Sequence, residues 1–159
     1  MEPNTLFVKM IFDRWNALLK NCDAILDALT DEQLLSEIAP GRNRGIYLLG
    51  HLIAIHDDML SLLNLGDRQH PALFETFVKS PDKSVEAIPS ASELRSLWKN
   101  QMQTLTPKLE SFSADEWFEK HNAISAEDFV KEPYRNKLNV LITRTTHLAY
   151  HVGQLKLLN

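Results

Sequence analysis

The stretch THLAYHVGQLKLL (Thr146–Leu158) carries two histidines, His147 and His151, four residues apart in an otherwise apolar pattern. Residues four apart lie on one face of an α-helix, so both rings would project from the same side of a last helix predicted from about Asn136 to Leu158. At about 100° per residue, both rings lie at the edge of the apolar stripe of this helix. Three interpretations fit the pair: core residues, a pH-sensitive pair, or half of a metal site.

A third histidine lies in the other strongly apolar segment of the chain. From about Asn43 to Leu63 the apolar residues recur with a helical period, and His51 falls on their inward face. His51 lies about eight residues, or roughly 12 Å, from the predicted start of this helix, and His151 lies a similar distance from the chain end. If the two helices run antiparallel, all three rings meet at one level, whereas a parallel arrangement misses by roughly 5 Å.

Three neutral imidazoles that converge in a bundle would suit a divalent metal ion. Each imidazole offers one ring nitrogen, and three protein ligands leave a coordination position open for water or substrate, which is typical of a catalytic metal site. His51, His147 and His151 are therefore candidate metal ligands, and a core position with another hydrogen-bond partner is the alternative. His56 lies about 140° around the helix from His51 and is expected to face solvent or a neighbouring helix.

Two further long helices complete the pattern. From about Thr5 to Leu29 the apolar residues alternate spacings of four and three, which lines one helical face. Ser90 with Glu93 forms a capping box that opens another helix. Pro107 is predicted to kink that helix or to end it near Thr106, because proline removes an amide and crowds the preceding turn.

The remaining segments predict short pieces and one long link. Thr30 with Gln33 forms a second capping box, which opens one or two helical turns. Residues 64–89 contain three prolines among mixed polar residues, which indicates a long surface connection that can cross the bundle. The predicted fold is therefore all-α: a four-helix bundle with a long crossover between helices 2 and 3, in a single domain of residues 1–159.

Composition and charge argue against several classes of protein. The formal net charge of −4 gives no broad basic footprint for nucleic acid, and no apolar run approaches the ~20 residues that span a bilayer. The lone Cys22 cannot form an intrachain disulfide, and no signal segment opens the chain, so a reducing cytoplasm fits. We expect a soluble protein that acts on small molecules or on other proteins.

Two motifs resemble signatures of the DinB/YfiT-like superfamily. IYLLGHLIAIHDDML (Ile46–Leu60) is similar to its second-helix motif, in which a histidine follows a short apolar run. THLAYHVGQLKLL is similar to its last-helix signature, in which two histidines four apart precede a glycine and a glutamine. The resemblance extends over the whole chain, including the APGRNRG entry (39–45) to the second helix and the long link after it.

The resemblance implies a left-handed four-helix bundle, often dimeric, that holds nickel, zinc or a similar divalent ion at His51, His147 and His151. Characterised relatives include thiol-dependent enzymes that transfer a low-molecular-weight thiol such as bacillithiol or mycothiol, or use one in isomerisation. It thus implies a small-molecule substrate, a thiol partner and a homodimer. Val152 stands where many relatives carry arginine, a departure that bears on a substrate contact at this position and not on the metal.

Two polar residues on the same helical faces are candidate catalytic residues. Asp58, one heptad after His51, could orient a ligand ring or the bound nucleophile, and its alternative is a partially exposed helix carboxylate. Gln154 shares the face of the paired histidines and could bond a ring nitrogen or substrate. A capping or dimer-facing role is its alternative.

Two neighbours of the paired histidines have alternative interpretations as well. Glycine in the middle of a helix lowers helix stability by about 1 kcal/mol relative to alanine. Its presence at Gly153 therefore suggests that another backbone or a ligand approaches closely there. Arg144, one turn before His147, could receive an anionic group, although arginines at a core edge usually only extend to solvent.

The sequence leaves three functions open. The first is a metal-dependent transferase or hydrolase, in which the cation lowers the pKa of a bound thiol or water and delivers it as a nucleophile. The second is a non-catalytic metal-binding or stress-related bundle that acts through protein or ligand binding. The third is a helical bundle with no metal.

Overall fold

The computed structural model describes residues 2–158 and is mainly helical. The long helices are α1 (Pro3–Ala28), α3 (Gly45–Leu62), α5 (Ala91–Glu110) and α7 (Lys137–Leu155). The shorter ones are α2 (Asp31–Leu35), α4 (Pro71–Phe74), a π-helix (Glu75–Lys79), α6 (Ala126–Lys131), and 3-10 turns at Glu116–Phe118 and Lys156–Leu158. Within residues 2–158, β structure is limited to two isolated bridges. The predicted all-α four-helix bundle is confirmed.

The long helices pack side by side around one apolar core. Helix α1 contacts α7, α7 contacts α3, and α3 contacts α5. Trp15, Trp98 and Trp117 fill this core, since none of them is more than 1% exposed. Burying a large apolar side chain stabilises the fold by about 1.5–3 kcal/mol, so these three residues are major contributors. Among the described residues, no helix combines the length and apolarity needed to cross a bilayer.

The relative directions of the helices explain the crossover. His51 contacts His147 and Asp58 contacts Arg144, so α3 and α7 run antiparallel. Along α3 and α5, by contrast, Gln101 donates to the Ile53 carbonyl, and Lys108 further along donates to the Leu65 carbonyl. These two neighbouring helices therefore run parallel. Parallel neighbours need a long connection that returns the chain to the other end of the bundle, which is the predicted crossover.

The crossover returns along α3 and is fixed to its first turns. The Arg44 backbone N–H and guanidinium donate to the Asp82 carboxylate at 2.8 and 2.7 Å, and the Tyr47 hydroxyl donates to the Ser80 carbonyl at 2.7 Å. The Ser80 hydroxyl in turn donates to the Glu75 carbonyl at 2.9 Å, which satisfies an acceptor of the π-helix. The link predicted as an irregular surface connection therefore contains ordered helical structure, namely α4 and the π-helix.

Both predicted capping boxes are formed. The Gln33 N–H donates to the Thr30 hydroxyl at 3.1 Å, while the Thr30 N–H donates to the Gln33 side-chain oxygen at 2.8 Å. Ser90 and Glu93 make the same reciprocal pair at 3.3 and 2.8 Å. Each pair satisfies two amides that have no partner inside the helix, which is why α2 and α5 begin where they do.

The structure corrects two predicted helix boundaries. Helix α3 begins at Gly45 rather than near Asn43. Helix α5 continues through Pro107 to Glu110, so its predicted end near Thr106 is wrong. Pro107 lies in the last turn, where it removes one amide hydrogen bond, and burial of Leu109 against the core helps to offset that loss.

Candidate metal centre

Three histidine rings converge between α3 and α7. The Nε2 atom of His147 lies 3.1 Å from Nε2 of His51 and 3.0 Å from Nε2 of His151. The metal-ligating atoms of the three rings all lie within 4.8 Å of one another. The structure therefore brings together the three residues that the sequence predicted, although His51 and His147 are 96 residues apart in the chain.

The helical faces account for this convergence. His151 and its neighbour Val152 are buried, while His51 and His147 are half-buried. Leu48 before His51 and Leu148 after His147 are no more than 1% exposed, so the apolar faces of α3 and α7 direct the three rings towards the same interface. The antiparallel arrangement puts them at one level.

Hydrogen bonds to the outer nitrogens orient two of the rings. Nδ1–H of His51 donates to the Phe77 backbone carbonyl at 2.8 Å, because a carbonyl can only accept. Nδ1–H of His151 donates to the side-chain oxygen of Gln154 at 2.7 Å. With the proton on Nδ1, the Nε2 atoms of these neutral rings carry lone pairs directed at the centre. Nδ1 of His147 is buried and has no hydrogen-bond partner within residues 2–158.

The electrostatics keep all three rings neutral near pH 7. Burial is the largest cause that lowers the pKa of His51 and of His151 below the usual value, and the bonds to Phe77 and Gln154 only partly oppose it. Burial, followed by the charges of the other two histidines and Arg144, lowers the pKa of His147 to about 4. A neutral imidazole is the form that ligates metals, so the rings are in the competent state.

This donor set fits a divalent cation. If Nε2 of His147 carries a proton, it can donate to Nε2 of only one of the other two rings. The Nε2 lone pair of the remaining ring then lies about 3 Å from His147 without a donor. Two nitrogens that each lie about 2.1 Å from one tetrahedral ion stand roughly 3.4 Å apart, close to the separations observed. The three histidines can therefore hold a metal ion.

Asp58 lies on α3 about two turns after His51 and is bonded by two arginines. Its Oδ1 accepts from Nε of Arg68 at 3.0 Å and from a second nitrogen of the same guanidinium, and its Oδ2 lies 3.6 Å from Arg144. Within residues 2–158 its carboxylate bonds these arginines and not a histidine ring. Its predicted role in orienting a ligand ring is therefore not observed as a direct contact, and its catalytic role stays a prediction.

Two other residues near the centre have surroundings different from those expected. His56 is fully buried, with its ring centroid 5.1 Å from that of Trp15 and 5.5 Å from that of Trp98, so the solvent-facing alternative is wrong. Apart from its two neighbours and the adjacent turns of its own helix, nothing in residues 2–158 comes within 4 Å of a side-chain carbon added at Gly153, so the predicted close approach of another backbone is not found there.

Phe77 and Gly50 support His51, and neither was predicted from the sequence. The Phe77 ring is fully buried, and a Cβ added at Gly50 would lie 2.6 Å from it. Only glycine lets the π-helix approach α3 closely enough to place the Phe77 carbonyl on His51. A glycine inside an apolar helix, next to the first histidine, was the available signal. The acceptor itself could not be identified, because every residue has a carbonyl.

A sequence model of the DinB superfamily matches residues 14–155 of the chain. The chain belongs to the DinB superfamily. The matched range includes α3 and α7, and with them all three histidines, so the resemblance seen in the two histidine motifs is confirmed. A comparison with curated proteins finds no match.

The fold of this DinB-superfamily chain is similar to a solved bacterial structure. The crystal structure of the conserved protein of locus from Enterococcus faecalis superposes with a TM-score of 0.62 at 15% sequence identity. The alignment covers 98% of this chain and 94% of that chain. At this identity the likeness shows a shared fold, which agrees with the helical bundle described above.

Proposed function

We propose that this protein is a metal-dependent enzyme that transfers or hydrolyses a group on a small molecule, with low-molecular-weight thiol S-transfer as the preferred reaction. The observation that carries the proposal is the convergence of three imidazole Nε2 atoms with outer nitrogens held by Phe77 and Gln154. A set of three neutral nitrogen ligands favours nickel or zinc among divalent ions and contains no carboxylate that would favour magnesium or calcium.

The residues of the chain have separate tasks in this proposal. When bound, a divalent cation lowers the pKa of a coordinated thiol or water and so supplies a nucleophile near neutral pH. His51, His147 and His151 hold the cation, and their lowered pKa values keep protons from competing for the ring nitrogens. Gln154 acts as a positioning residue that fixes the orientation of the His151 ring.

Asp58 and Arg144 are assigned to the substrate side of the centre. Arg144 lies one turn before His147 on α7, and Asp58 lies 3.6 Å from its guanidinium. Asp58 therefore acts through Arg144 by holding the guanidinium beside the centre. The homodimer and the cytoplasmic location stay predictions, which sedimentation and cell fractionation would test.

The test of this function is metal binding followed by turnover. Protein purified without a histidine tag should bind about one equivalent of Ni²⁺ or Zn²⁺ by elemental analysis. Substitution of any ligand, for example His51→Ala or His147→Ala, should abolish stoichiometric binding, because two imidazoles hold a cation far more weakly than three. His70→Ala removes a histidine outside the cluster and should bind as the wild type does.

Turnover then separates the enzyme from a non-catalytic bundle. Metal-loaded protein should transfer a low-molecular-weight thiol to an electrophile from a panel of both, and the His147→Ala variant should not. If the wild type binds metal at full occupancy and turns over no thiol or water-dependent substrate, the non-catalytic alternative stands instead. Absence of bound metal after supply of both ions would overturn the metal centre itself.

A further inference from the structure

A second polar site lies along α7, one to two turns from the histidine centre. It is a surface pocket of about 210 Å³ between the end of α3, the loop before α6 and the first half of α7. We call it the basic pocket. Its polar lining residues are His121, Arg135, Asn136, Asn139, Thr143 and Arg144. The other lining residues are aliphatic, so no acidic side chain lines this pocket among the residues that the structure describes.

One of the two arginines of the basic pocket, Arg144, is incompletely neutralised. Arg135 pairs with Glu132 at 2.9 Å, and both side chains are more than one-third exposed. Among the residues that the structure describes, the Arg144 side chain has only the longer contact to Asp58, at 3.6 Å. Asp58 is already bonded by two nitrogens of Arg68, so one carboxylate is shared by two guanidiniums. Positive charge is therefore in excess at the inner end of the pocket.

Arg144 is the group for which an anion would matter most. Its side chain is only 18% exposed, and its Nε atom is buried without a hydrogen-bond partner within residues 2–158. Burial lowers the pKa of Arg144, and Asp58 opposes this only in part. A buried guanidinium without full pairing is costly, because desolvation is offset only by close opposite charge and complete hydrogen bonding. An anionic guest would provide opposite charge and hydrogen-bond acceptors to the exposed part of this guanidinium.

The other polar residues of the pocket add hydrogen-bond donors. The Ala123 N–H donates to Nδ1 of His121 at 3.1 Å, so the proton of this neutral ring is on Nε2, which is a donor. Guanidinium, amide and imidazole N–H groups are the donors that carboxylates and phosphates accept from, and guanidinium can bind either group through two parallel hydrogen bonds.

The basic pocket and the metal centre share one element. Arg144 and His147 are three residues apart on α7, which corresponds to about 4.5 Å along the helix axis. We propose that the basic pocket binds the anionic group, a carboxylate or a phosphate, of the small molecule that is handled at the three-histidine centre. The anion site stands on the pocket alone, whereas its link to the reaction rests on the proposed function.

The first experiment tests the anion site without metal. Metal-free protein is titrated with inorganic phosphate and, separately, with succinate, while sodium chloride holds the ionic strength constant. Saturable chemical-shift changes of the His121 ring and the Arg144 Nε–H in NMR spectra are expected for at least one anion, and the comparison of the two shows which group the pocket prefers. Absence of any saturable change at these residues with either anion overturns the proposal.

Variants locate the binding. Arg144→Gln and Arg135→Gln should each weaken binding of the preferred anion by about tenfold or more, because each removes a charge-assisted hydrogen bond. Arg42→Gln removes one exposed positive charge at the opposite end of α3 and should change the affinity less than twofold. If Arg144→Gln does not fold, the anion affinities of Arg135→Gln and His121→Ala are compared with that of Arg42→Gln instead. Equal weakening by all variants would show screening rather than a site and would overturn the proposal.

The second experiment tests the link to the metal centre. Cobalt-loaded protein is titrated with 3-mercaptopropionate, mercaptosuccinate and the uncharged 2-mercaptoethanol, and thiolate ligation is followed by its charge-transfer absorption. The mercaptoacids should bind more tightly than 2-mercaptoethanol, and Arg144→Gln should abolish that preference. If thiols ligate cobalt without preference, the link is wrong while the metal centre stands. If cobalt does not bind, the proposed function fails, and the phosphate and succinate titrations still decide the anion site.

Discussion

Gln154 contacts the three-histidine cluster through a single hydrogen bond. Its side-chain oxygen accepts the Nδ1–H of His151 at 2.7 Å, which fixes both the tautomer and the plane of that ring. Removal of the acceptor in Gln154→Ala should weaken metal affinity by roughly 10- to 100-fold, measured by competition with a chelator of known affinity. The helix should persist, because alanine is the best helix former.

The matched variant is Gln154→Glu, which keeps the acceptor and adds a negative charge beside the ring. A carboxylate acceptor raises the basicity of a ligating imidazole, so this variant should bind the metal at least as tightly as the wild type. Wild-type affinity in Gln154→Ala would show that the hydrogen bond has no part in positioning the ligand.

At this scale the sequence predicted the ligands and not all of their supports. Helical period fixes which face a residue occupies, so the inward positions of His51, His147 and His151 follow from residue spacing alone. The bond from His151 to Gln154 followed from the same period, because residues three apart share a face. The acceptor of His51 could not be predicted, since the Phe77 carbonyl is positioned by the tertiary path of the crossover.

The π-helix is the element that couples the crossover to the metal centre. It places the Phe77 carbonyl on His51 and the Phe77 ring against Gly50 of α3. In Gly50→Ala the new Cβ would lie 2.6 Å from that fully buried ring, so the π-helix must shift outwards. We expect a stability loss of about 1–3 kcal/mol in urea unfolding from overpacking, together with weaker metal binding.

The control for this variant is Gly153→Ala, the same change in α7. In the described part of the chain, no other helix or loop lies within 4 Å of the added carbon, so the gain in helix propensity should stabilise the protein by about 1 kcal/mol and leave the metal affinity unchanged. Unaltered metal affinity in Gly50→Ala would indicate that the Phe77 carbonyl does not orient His51.

Helix starts could be predicted from the sequence where side chains close together in the chain form the cap. The capping boxes at Thr30 and Ser90 depend on side chains three residues apart, and both form. No comparable local sequence pattern specifies the π-helix. Its wider turn has less favourable hydrogen bonds, and tertiary packing must offset that loss. Its supports are Tyr47 and Arg44 on α3 and its entry, which bond Ser80 and Asp82 across 33 and 38 residues of chain.

For the whole molecule, buried histidines predict a pH-dependent stability in the absence of metal. Burial is the largest cause that lowers the pKa of His51, His56, His147 and His151, the third to about 4. In the unfolded chain the same groups titrate near about 6.5. Between these values the unfolded chain binds more protons than the folded protein, so the free energy of unfolding should fall as the pH is lowered from about 6.5 towards about 4.

Urea midpoints measured with chelator present, from about pH 7 to about pH 5, test this expectation. Unfolded carboxylates titrate near about 4, so they contribute little over this range. A His147→Gln variant should show a shallower dependence, because one titrating group is gone. A midpoint that stays constant over the range in the wild-type protein would contradict the assigned protonation states.

The separation of the ligands along the chain determines when the centre can exist. His51 and His147 are 96 residues apart, and the Phe77 carbonyl belongs to a third segment. Closing so long a loop is slow and entropically unfavourable, so the three rings meet only after α3, the crossover and α7 have docked. A chain still under synthesis carries a single ligand until α7 is made. Capture of the proposed cation would therefore mark the completion of folding, and it would selectively stabilise the finished native state.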